Sequence, residues 1–479
     1  MPETLPAAGP HTGAAGVPRR PGVVLAVACA AQFVCVLDAS IVNVALPPMQ
    51  DSLGLSPTGL QWVVSSYTLT FAGFLLLGGR VGDLWGRKRA FVAGLLLFAA
   101  ASLAAGLAHE GWQVVAARFV QGVGGAVLVP TTLSLITTGF VEPRARAKAL
   151  SVLTAAAAAG GALGGVIGGV LTGLLSWRWV FFVNVPLGVL LMLAAVWALP
   201  GRPPGHVRGK LDLPGSVSVT AGTAALVSAV ILGEEHGWAS ATTLTCVGLA
   251  AAAFTVFVLV ERRADQPVVP LWVFRVRSVT VANGLSALVG GMLPATMFFL
   301  VLYLQRVLGM DPLTAGLALT PGAVGIALGA RGASRWIGVL GPRRSFVLGT
   351  LVSAGALAWL SQLDVGGRYA VDVLVPLTLA MAGFGAAGLP LTVTATSGLG
   401  RERAGLASGL LATARQVGSA VGLAALVAVA AASAAGAENS LAGLTDGFGA
   451  GFLVGAGVLV VASVGALALP DGREAHQSG

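Results

Sequence analysis

Ionisable side chains inside long apolar stretches are the residues of this chain whose types and positions could do chemistry. Asp38, Arg118 and Arg415 each lie within such a stretch. A charged group in an apolar environment is costly, so residues of this kind are functional by default. Burial disfavours a charged carboxylate, and Asp38 is therefore predicted to take up and release a proton. Arg118 stays protonated, and we expect it to tune a nearby acid or to bind an electron-rich group.

Plainer interpretations of two of these residues stay open at this stage. Asp38 could be a helix-end residue in contact with water. Arg118 could be a structural arginine whose guanidinium donates to the carbonyls of a helix end. Both of these interpretations place the side chain at a helix end, whereas the functional interpretation places it inside the protein.

The elements that must position these side chains are about fourteen apolar stretches, each roughly 20 residues long, the length of a membrane-spanning helix. The composition agrees, since 56% of the residues are hydrophobic, 10% are charged and the mean hydropathy is +0.87. The stretches lie near residues 22–46, 58–79, 90–108, 112–139, 149–174, 179–199, 215–233, 239–260, 278–304, 313–337, 345–362, 371–396, 404–432 and 447–469. The sequence therefore predicts an all-α integral membrane protein.

The basic residues fix the predicted orientation. Of the 28 Lys and Arg, 23 fall in the N-terminal segment, the C-terminal segment and every second loop, whereas the opposite loops hold three. By the positive-inside rule, the first side is cytoplasmic and both termini lie there. Residues 1–21 and 470–479 are predicted to be cytoplasmic tails, the first of them disordered. The net charge of +9 is spread over many short loops, so we expect lipid rather than nucleic acid as the partner.

Several chemistries lack their usual residues in this sequence. No Gly-x-x-x-x-Gly-Lys-Ser/Thr phosphate loop occurs, the five histidines have no metal-site spacing, and no nucleophile is paired with a base. We expect no cofactor, no metal and no enzymatic activity. Cys29, Cys35 and Cys246 lie in apolar stretches and are predicted to be packing residues rather than disulfide partners.

Glycines mark two further features. The loop after the second stretch has small residues, which allow a tight turn, around one acid and several cations. Its residues are Gly79, Gly82, Asp83, Gly86, Arg87, Lys88 and Arg89. The fifth stretch carries two stripes of glycines spaced four residues apart, Gly160, Gly164 and Gly168 beside Gly161, Gly165 and Gly169. Such stripes let a neighbouring helix backbone come close, and they are also common in general membrane-helix packing.

The chain resembles the major facilitator superfamily, and within it the 14-span drug:proton antiporters. The loop at 79–89 is similar to the superfamily's signature, in which the acid and the following basic residues form a cytoplasmic latch; a simple positive-inside anchor is the alternative. Residues 37–47, 118–125, 177–186 and 303–321 resemble further motifs of the antiporters. The resemblance implies proton transfer at Arg118 and an antiport motif on the fifth helix. Gly165 stands where that motif has a proline, which weakens the match.

The resemblance implies two six-helix bundles, at 22–199 and 278–469, and an inserted two-helix hairpin with linkers at 200–277. It also implies a monomer in the bacterial cytoplasmic membrane that exports hydrophobic or aromatic drugs or antibiotics in exchange for protons. A proton-coupled importer or facilitator of a small metabolite, and a channel or receptor, remain alternatives.

Asp38 is predicted to be the coupling acid, Arg118 its tuner and Asp83 with Arg87 the latch. The glycines expected to form the antiport helix are Gly161, Gly164, Gly165, Gly168 and Gly169. A second set is predicted to line the substrate cavity, although aromatic and Met residues more often pack in a core or face lipid. The set comprises Asn43, Trp62, Tyr67, Gln121, Met292, Met297, Phe298, Gln305, Arg415 and Gln416.

Overall fold

The computed structural model describes residues 21–140, 142–199, 212–264, 267, 269–399, 404–434 and 440–469. Residues 1–20 of the first predicted tail, the second tail at 470–479 and the linker residues 200–211 lie outside the described residues, whereas Pro21 begins the first helix. The side chain of Asp83 also lies outside them. The described part is helical almost throughout and contains no β-strand.

The helices follow the apolar stretches closely. They are α1 (Pro21–Leu53), α2 (Pro57–Trp85), α3 (Arg87–Gly106), α4 (Gly111–Gly139), α5 (Pro143–Leu174), α6 (Trp179–Phe182), α7 (Asn184–Ala198), α8 (Leu213–His236), α9 (Ala241–Arg263), α10 (Arg277–Leu302), α11 (Pro312–Leu360), α12 (Val375–Leu399), α13 (Ala404–Ser433) and α14 (Leu441–Gly465). Short π-helical segments extend α10 (Tyr303–Val307) and precede α12 (Tyr369–Leu374). The stretch predicted at 179–199 is interrupted at Val183, between α6 and α7.

Within the described residues, twelve helices are long and apolar enough to cross a membrane. The 29-residue α2 is not among these twelve. One of the twelve, α11, has 49 residues, so a straight α11 would be about 74 Å long, far more than a bilayer's thickness. The count of fourteen spans is consistent with this set and stays a prediction.

Helix α11 reverses direction at Gly341, whose φ of 79° and ψ of 166° are not helical. A positive φ of this kind favours glycine, and Pro342 follows it. Both arms of α11 pack on the same part of α12: Gly329 lies against Ala382 and Gly349 lies against Gly383. The two arms therefore form a hairpin and correspond to the separate stretches predicted at 313–337 and 345–362.

The two ends of the helix assembly differ in their packing. We call the end where α1 begins the tail side and the end where α1 finishes at Leu53 the far side. On the far side, one buried apolar cluster includes Leu46 of α1, Leu300 of α10 and Leu423 of α13, so α1–α7 and α10–α14 share it. On the tail side, Phe91 and Phe346 belong to two separate clusters, one for each group of helices. The described structure is closed on the far side.

The hairpin of α8 and α9 packs beside both groups of helices. Val227 and Ile231 of α8 form a cluster with Ala420 and Ala424 of α13, and Trp62 of α2 packs against it. The division of the chain at 22–199, 200–277 and 278–469 stays a prediction.

Candidate functional site

Four helices of the α1–α7 group bring together the polar residues at the centre of the candidate site. Asp38 lies in the middle of α1, Ser102 near the end of α3, Arg118 and Gln121 on successive turns of α4, and Asn184 at the start of α7. The side chains of all five are almost completely buried. Asp38 is 0% exposed, which rules out its interpretation as a water-contacting helix-end residue in this conformation.

Asp38 and Arg118 form a buried salt bridge with an Nη1 to Oδ2 distance of 2.5 Å. The other carboxylate oxygen of Asp38 accepts from Gln121 Nε2 at 2.8 Å and from Asn184 Nδ2 at 2.6 Å. The same two amides donate to Ser102 Oγ, at 3.0 and 2.9 Å. Three donors therefore converge on this one carboxylate, and the strongest of them is the guanidinium of Arg118.

Helix α2 completes the surroundings of Arg118. The Arg118 Nε donates to the carbonyl oxygen of Val63 at 3.3 Å, and its guanidinium carbon lies 4.2 Å from the centre of the Tyr67 ring. A cation over an aromatic face is attracted by the ring's quadrupole. Nη1 also donates to Gln121 Oε1 at 2.8 Å. Arg118 therefore joins α1, α2 and α4, and its contacts combine the ion pair with a backbone carbonyl.

Asn184 has one polar atom that the network leaves unused. Its Oδ1 is buried and has no hydrogen-bond partner. Among the described residues, Gln61 Nε2, Ser65 Oγ and Ser66 Oγ on α2 are also buried without a partner. A buried polar group without a partner costs free energy, so these atoms are places where the packing of this conformation is not optimal for hydrogen bonding.

The two glycine stripes of α5 face different helices. A Cβ atom placed on Gly164 would lie 2.4 Å from Ser40 Cβ, and one on Gly168 would lie 2.8 Å from the carbonyl oxygen of Ile41, so this stripe packs on α1. The other stripe contacts the far-side end of α11. A Cβ on Gly165 would lie 3.0 Å from the Gly316 oxygen, and one on Gly169 would lie 2.6 Å from the Pro312 oxygen.

Gly161 begins this second stripe but has more room than the rest. A Cβ placed there would meet only Val36 Cγ1, at 3.7 Å. The carbonyl oxygen of Gly161 accepts from Ser40 Oγ at 3.1 Å. Helix α5 is thus held between α1 on one face and α11 on another by glycines.

The glycines of the predicted latch allow α2 to approach α4. Cβ atoms on Gly79 and Gly82 would lie 3.5 Å from Pro130 and 3.4 Å from Thr131, respectively, and Gly86 has a positive φ of 92° between α2 and α3.

The basic residues of the predicted latch bond within the α1–α7 group. Arg87 Nε donates to Ser134 Oγ of α4 at 2.6 Å, Lys88 Nζ donates to the carbonyl oxygen of Val196 on α7, and Arg89 is exposed. The contact between Asp83 and Arg87 in the latch stays a prediction, because the side chain of Asp83 lies outside the described residues.

Several residues predicted for the substrate cavity lie on the far side of the helix assembly in this conformation. Met292 and Phe298 are 4% and 3% exposed and pack in the far-side cluster, with Met297 half-buried beside them. Gln305 donates to the carbonyl oxygen of Val44 at 3.0 Å and so joins α10 to α1 on the far side.

Of the other residues predicted for the cavity, some contact their own or neighbouring helices and some border open space. Asn43 donates to carbonyls of its own helix. Trp62, which packs against α8 and α13, also lines an open apolar groove of about 640 Å³ together with Phe119. Arg415 is exposed and Gln416 is half-buried, and neither has a hydrogen-bond partner among the described residues.

Sequence reasoning did not assign a role to two members of the network, Ser102 and Asn184. Asn184 belongs to the motif-like run 177–186, and a polar amide inside an apolar stretch was the available signal. Ser102 carries no such signal, because a single serine is common in membrane helices.

Comparison with known families shows what kind of protein carries this site. The model of the Major Facilitator Superfamily matches residues 28–423, which include every residue of the network. The chain belongs to the Major Facilitator Superfamily. Proteins of known structure with this superfamily's fold agree, although their sequences are only distantly similar. A bacterial homolog of the human lysosomal transporter Spinster, in an inward-facing and unoccupied conformation, has a TM-score of 0.69 at 16% identity and covers 94% of this chain and 97% of its own.

Relatives within the superfamily include antibiotic export and resistance proteins. The cephamycin export protein CmcT of Amycolatopsis lactamdurans is 40% identical over 443 residues, which are 91% of this chain and 90% of that protein. The puromycin resistance protein pur8 of Streptomyces alboniger is 38% identical over 464 residues, 94% of this chain and 91% of that protein. The lincomycin resistance protein of Streptomyces lincolnensis is 34% identical over 449 residues, 92% of this chain and 90% of that protein.

Proposed function

We propose that this superfamily member exports antibiotics or other hydrophobic and aromatic compounds from a bacterial cell in exchange for protons. The observation that carries the proposal is the solvent-excluded ion pair of Asp38 and Arg118, in a chain similar along most of its length to antibiotic exporters. The similarity to these relatives supports the outward direction of transport. The assignment of proton exchange to Asp38 comes from the chemistry of the pair.

Asp38 is suited to couple a proton to a conformational change. Protonation removes the negative charge that three donors now satisfy, and it leaves Arg118 buried without a counter-ion. An uncompensated buried charge is strongly destabilising, so protonation of Asp38 should shift the protein from the present packing toward another conformation. Because Asp38 is fully buried, proton exchange requires another conformation, the alternation that antiport needs.

A chain of direct contacts leads from Asp38 to the surface where the two helix groups meet. Ser40 and Ile41 follow Asp38 on α1 and touch Gly164 and Gly168 of α5. The neighbouring glycine, Gly169, touches α11. A shift of α1 on protonation would therefore act directly on the contact between α5 and α11.

The far side would open and the tail side would close in the opposite state. We propose that Asp83 and Arg87 act there as the latch, and that the tail side faces the cytoplasm, as the distribution of basic residues predicts. We also propose that the protein acts as a monomer, with six-helix bundles at 22–199 and 278–469 and the hairpin inserted between them. Alternating access is then a rocking of one bundle against the other.

Proton release from acidified everted membrane vesicles tests the proposal. A panel of aromatic antibiotics and dyes is added to vesicles that contain the wild-type protein, the Asp38→Asn variant or the Asp446→Asn variant. Asp446 is an exposed acid on α14, so its variant controls for the loss of one carboxylate. We expect compound-triggered proton release by wild type and Asp446→Asn and none by Asp38→Asn. Release that persists in Asp38→Asn would refute the assignment of Asp38, and accumulation of compounds outside these vesicles would refute export.

A further inference from the structure

Arg415 occupies an unusual position on α13. Its side chain is exposed, yet its helix packs against α2, α8, α10, α12 and α14. A side chain with both properties lines an internal opening rather than the outer surface. Leu411, one turn before it, belongs to the tail-side cluster of α10–α14, and Leu423, two turns after it, belongs to the shared far-side cluster. Arg415 therefore lies near mid-depth, where the two helix groups begin to separate toward the tail side.

The guanidinium of Arg415 has no counter-ion within the described part of the chain, where no hydrogen bond or ion pair involves it. The neighbouring Gln416 is half-buried and also has no hydrogen-bond partner. Arg118 differs from Arg415 in this respect, since Asp38 neutralises it.

Close backbone contact between α13 and α10 holds Arg415 beside this opening. A Cβ atom on Gly290 would lie 2.3 Å from the carbonyl oxygen of Arg415, and one on Gly418 would lie 2.0 Å from the Ala287 oxygen, so α13 and α10 are in direct backbone contact here. The chain thus holds a permanent cation at a fixed place in the membrane-spanning region. Such a charge is costly in the membrane-spanning region unless water or an anion stabilises it.

We infer that Arg415 is the contact for an anionic group of the transported compound, and that the compounds this protein prefers are amphipathic acids, with an apolar or aromatic body and a carboxylate or similar group. The inference rests on the proposed transport function and adds the charge of the substrate to it. A guanidinium binds a carboxylate through two parallel N–H bonds, a geometry that lysine cannot reproduce. Gln416 offers an amide to the same group or to an adjacent polar atom.

The inference is tested by binding alone, in nanodiscs of neutral lipid without a proton gradient. The probes are 7-diethylaminocoumarin-3-carboxylic acid and its ethyl ester, which have the same aromatic body and differ in charge. Fluorescence anisotropy measures binding to wild type and to the Arg415→Gln, Arg415→Lys and Arg335→Gln variants. Arg335 is an exposed tail-side arginine, so its variant removes the same charge outside the opening.

We expect wild type and Arg335→Gln to bind the acid about 10-fold or more tightly than the ester, as a charge-assisted hydrogen bond predicts. Arg415→Gln should lose this preference, and Arg415→Lys should keep part of it. Added salt should weaken binding of the acid more than binding of the ester. Equal binding of acid and ester by wild type, undetectable binding of the acid, or an unchanged preference in Arg415→Gln would overturn the inference. Loss of proton coupling would not affect these results, so the two proposals fail separately.

Discussion

The glycine contact between α5 and α11 gives the most direct test of how the far side closes. In Gly169→Ala, the new methyl group would lie 2.6 Å from the Pro312 oxygen and 2.7 Å from Leu313 Cα, whereas ordinary contacts begin at 3.4 Å. The backbones must separate by roughly 0.8 Å, and overpacking of this kind costs about 1–3 kcal/mol. In the proposed rocking of the two bundles, α5 and α11 separate when the far side opens. The cost therefore falls on the closed state and should reduce its population about 5- to 150-fold relative to the open state.

Thiol cross-linking on the far side measures the closed population. Asp51 and Arg306 form an ion pair across the two helix groups, so cysteines at these positions come within reach of a short bifunctional thiol reagent when the far side is closed. Cys29, Cys35 and Cys246 are replaced by alanine in every sample, since all three are free thiols.

Gly161→Ala is the matched control for Gly169→Ala, because its methyl group would meet only Val36 Cγ1 at 3.7 Å, an ordinary contact. Both substitutions raise helix propensity equally, so that effect cancels. We expect strong cross-linking with Gly161→Ala and weak cross-linking with Gly169→Ala. Equal yields would refute the role of the glycine contact in closure.

Three further predictions concern stability, measured as thermal unfolding of the purified protein in one detergent. Arg118→Gln should destabilise the protein by about 3–5 kcal/mol, because it leaves Asp38 buried without a counter-ion. Adding Asp38→Asn should recover part of that loss, and additive losses in the double variant would contradict the pairing. Gly86→Ala should cost about 1–3 kcal/mol because φ is 92° and ψ is 136° there, a conformation that side chains rarely adopt. An unchanged melting temperature would contradict this conformation. Arg306→Ala should cost less than about 1 kcal/mol, since its pair with Asp51 is exposed to solvent.

The sequence predicts the helices well because each has a local cause. A run of about 20 apolar residues makes a spanning helix wherever it occurs. The separate stretches at 313–337 and 345–362 indicated the reversal at Gly341, a glycine followed by Pro342. The interruption at Val183 had a local signal that the prediction of one stretch at 179–199 did not use, since Asn184 and Pro186 follow it and a proline in the first turn is typical of a helix start.

The site is only partly visible in the sequence, because its geometry depends on packing between distant segments. Asp38 and Arg118 stand out as charges in apolar stretches, yet their pairing joins residues 80 positions apart. Tyr67 and Gln121 were predicted for the substrate cavity, and the structure places both against Arg118. The glycine spacing on α5 indicated close helix packing, but one sequence could not show that the two stripes meet different helices.

Transport by Asp38→Asn protein in liposomes tests the central claim most directly, that this carboxylate couples protons to export. Two modes are compared: exchange of labelled for unlabelled substrate without a proton gradient, and uphill transport driven by an imposed gradient. An exchange cycle needs no net proton movement, so the variant should exchange substrate but fail to concentrate it, while wild type does both. Uphill transport by the variant at the wild-type rate would contradict the account.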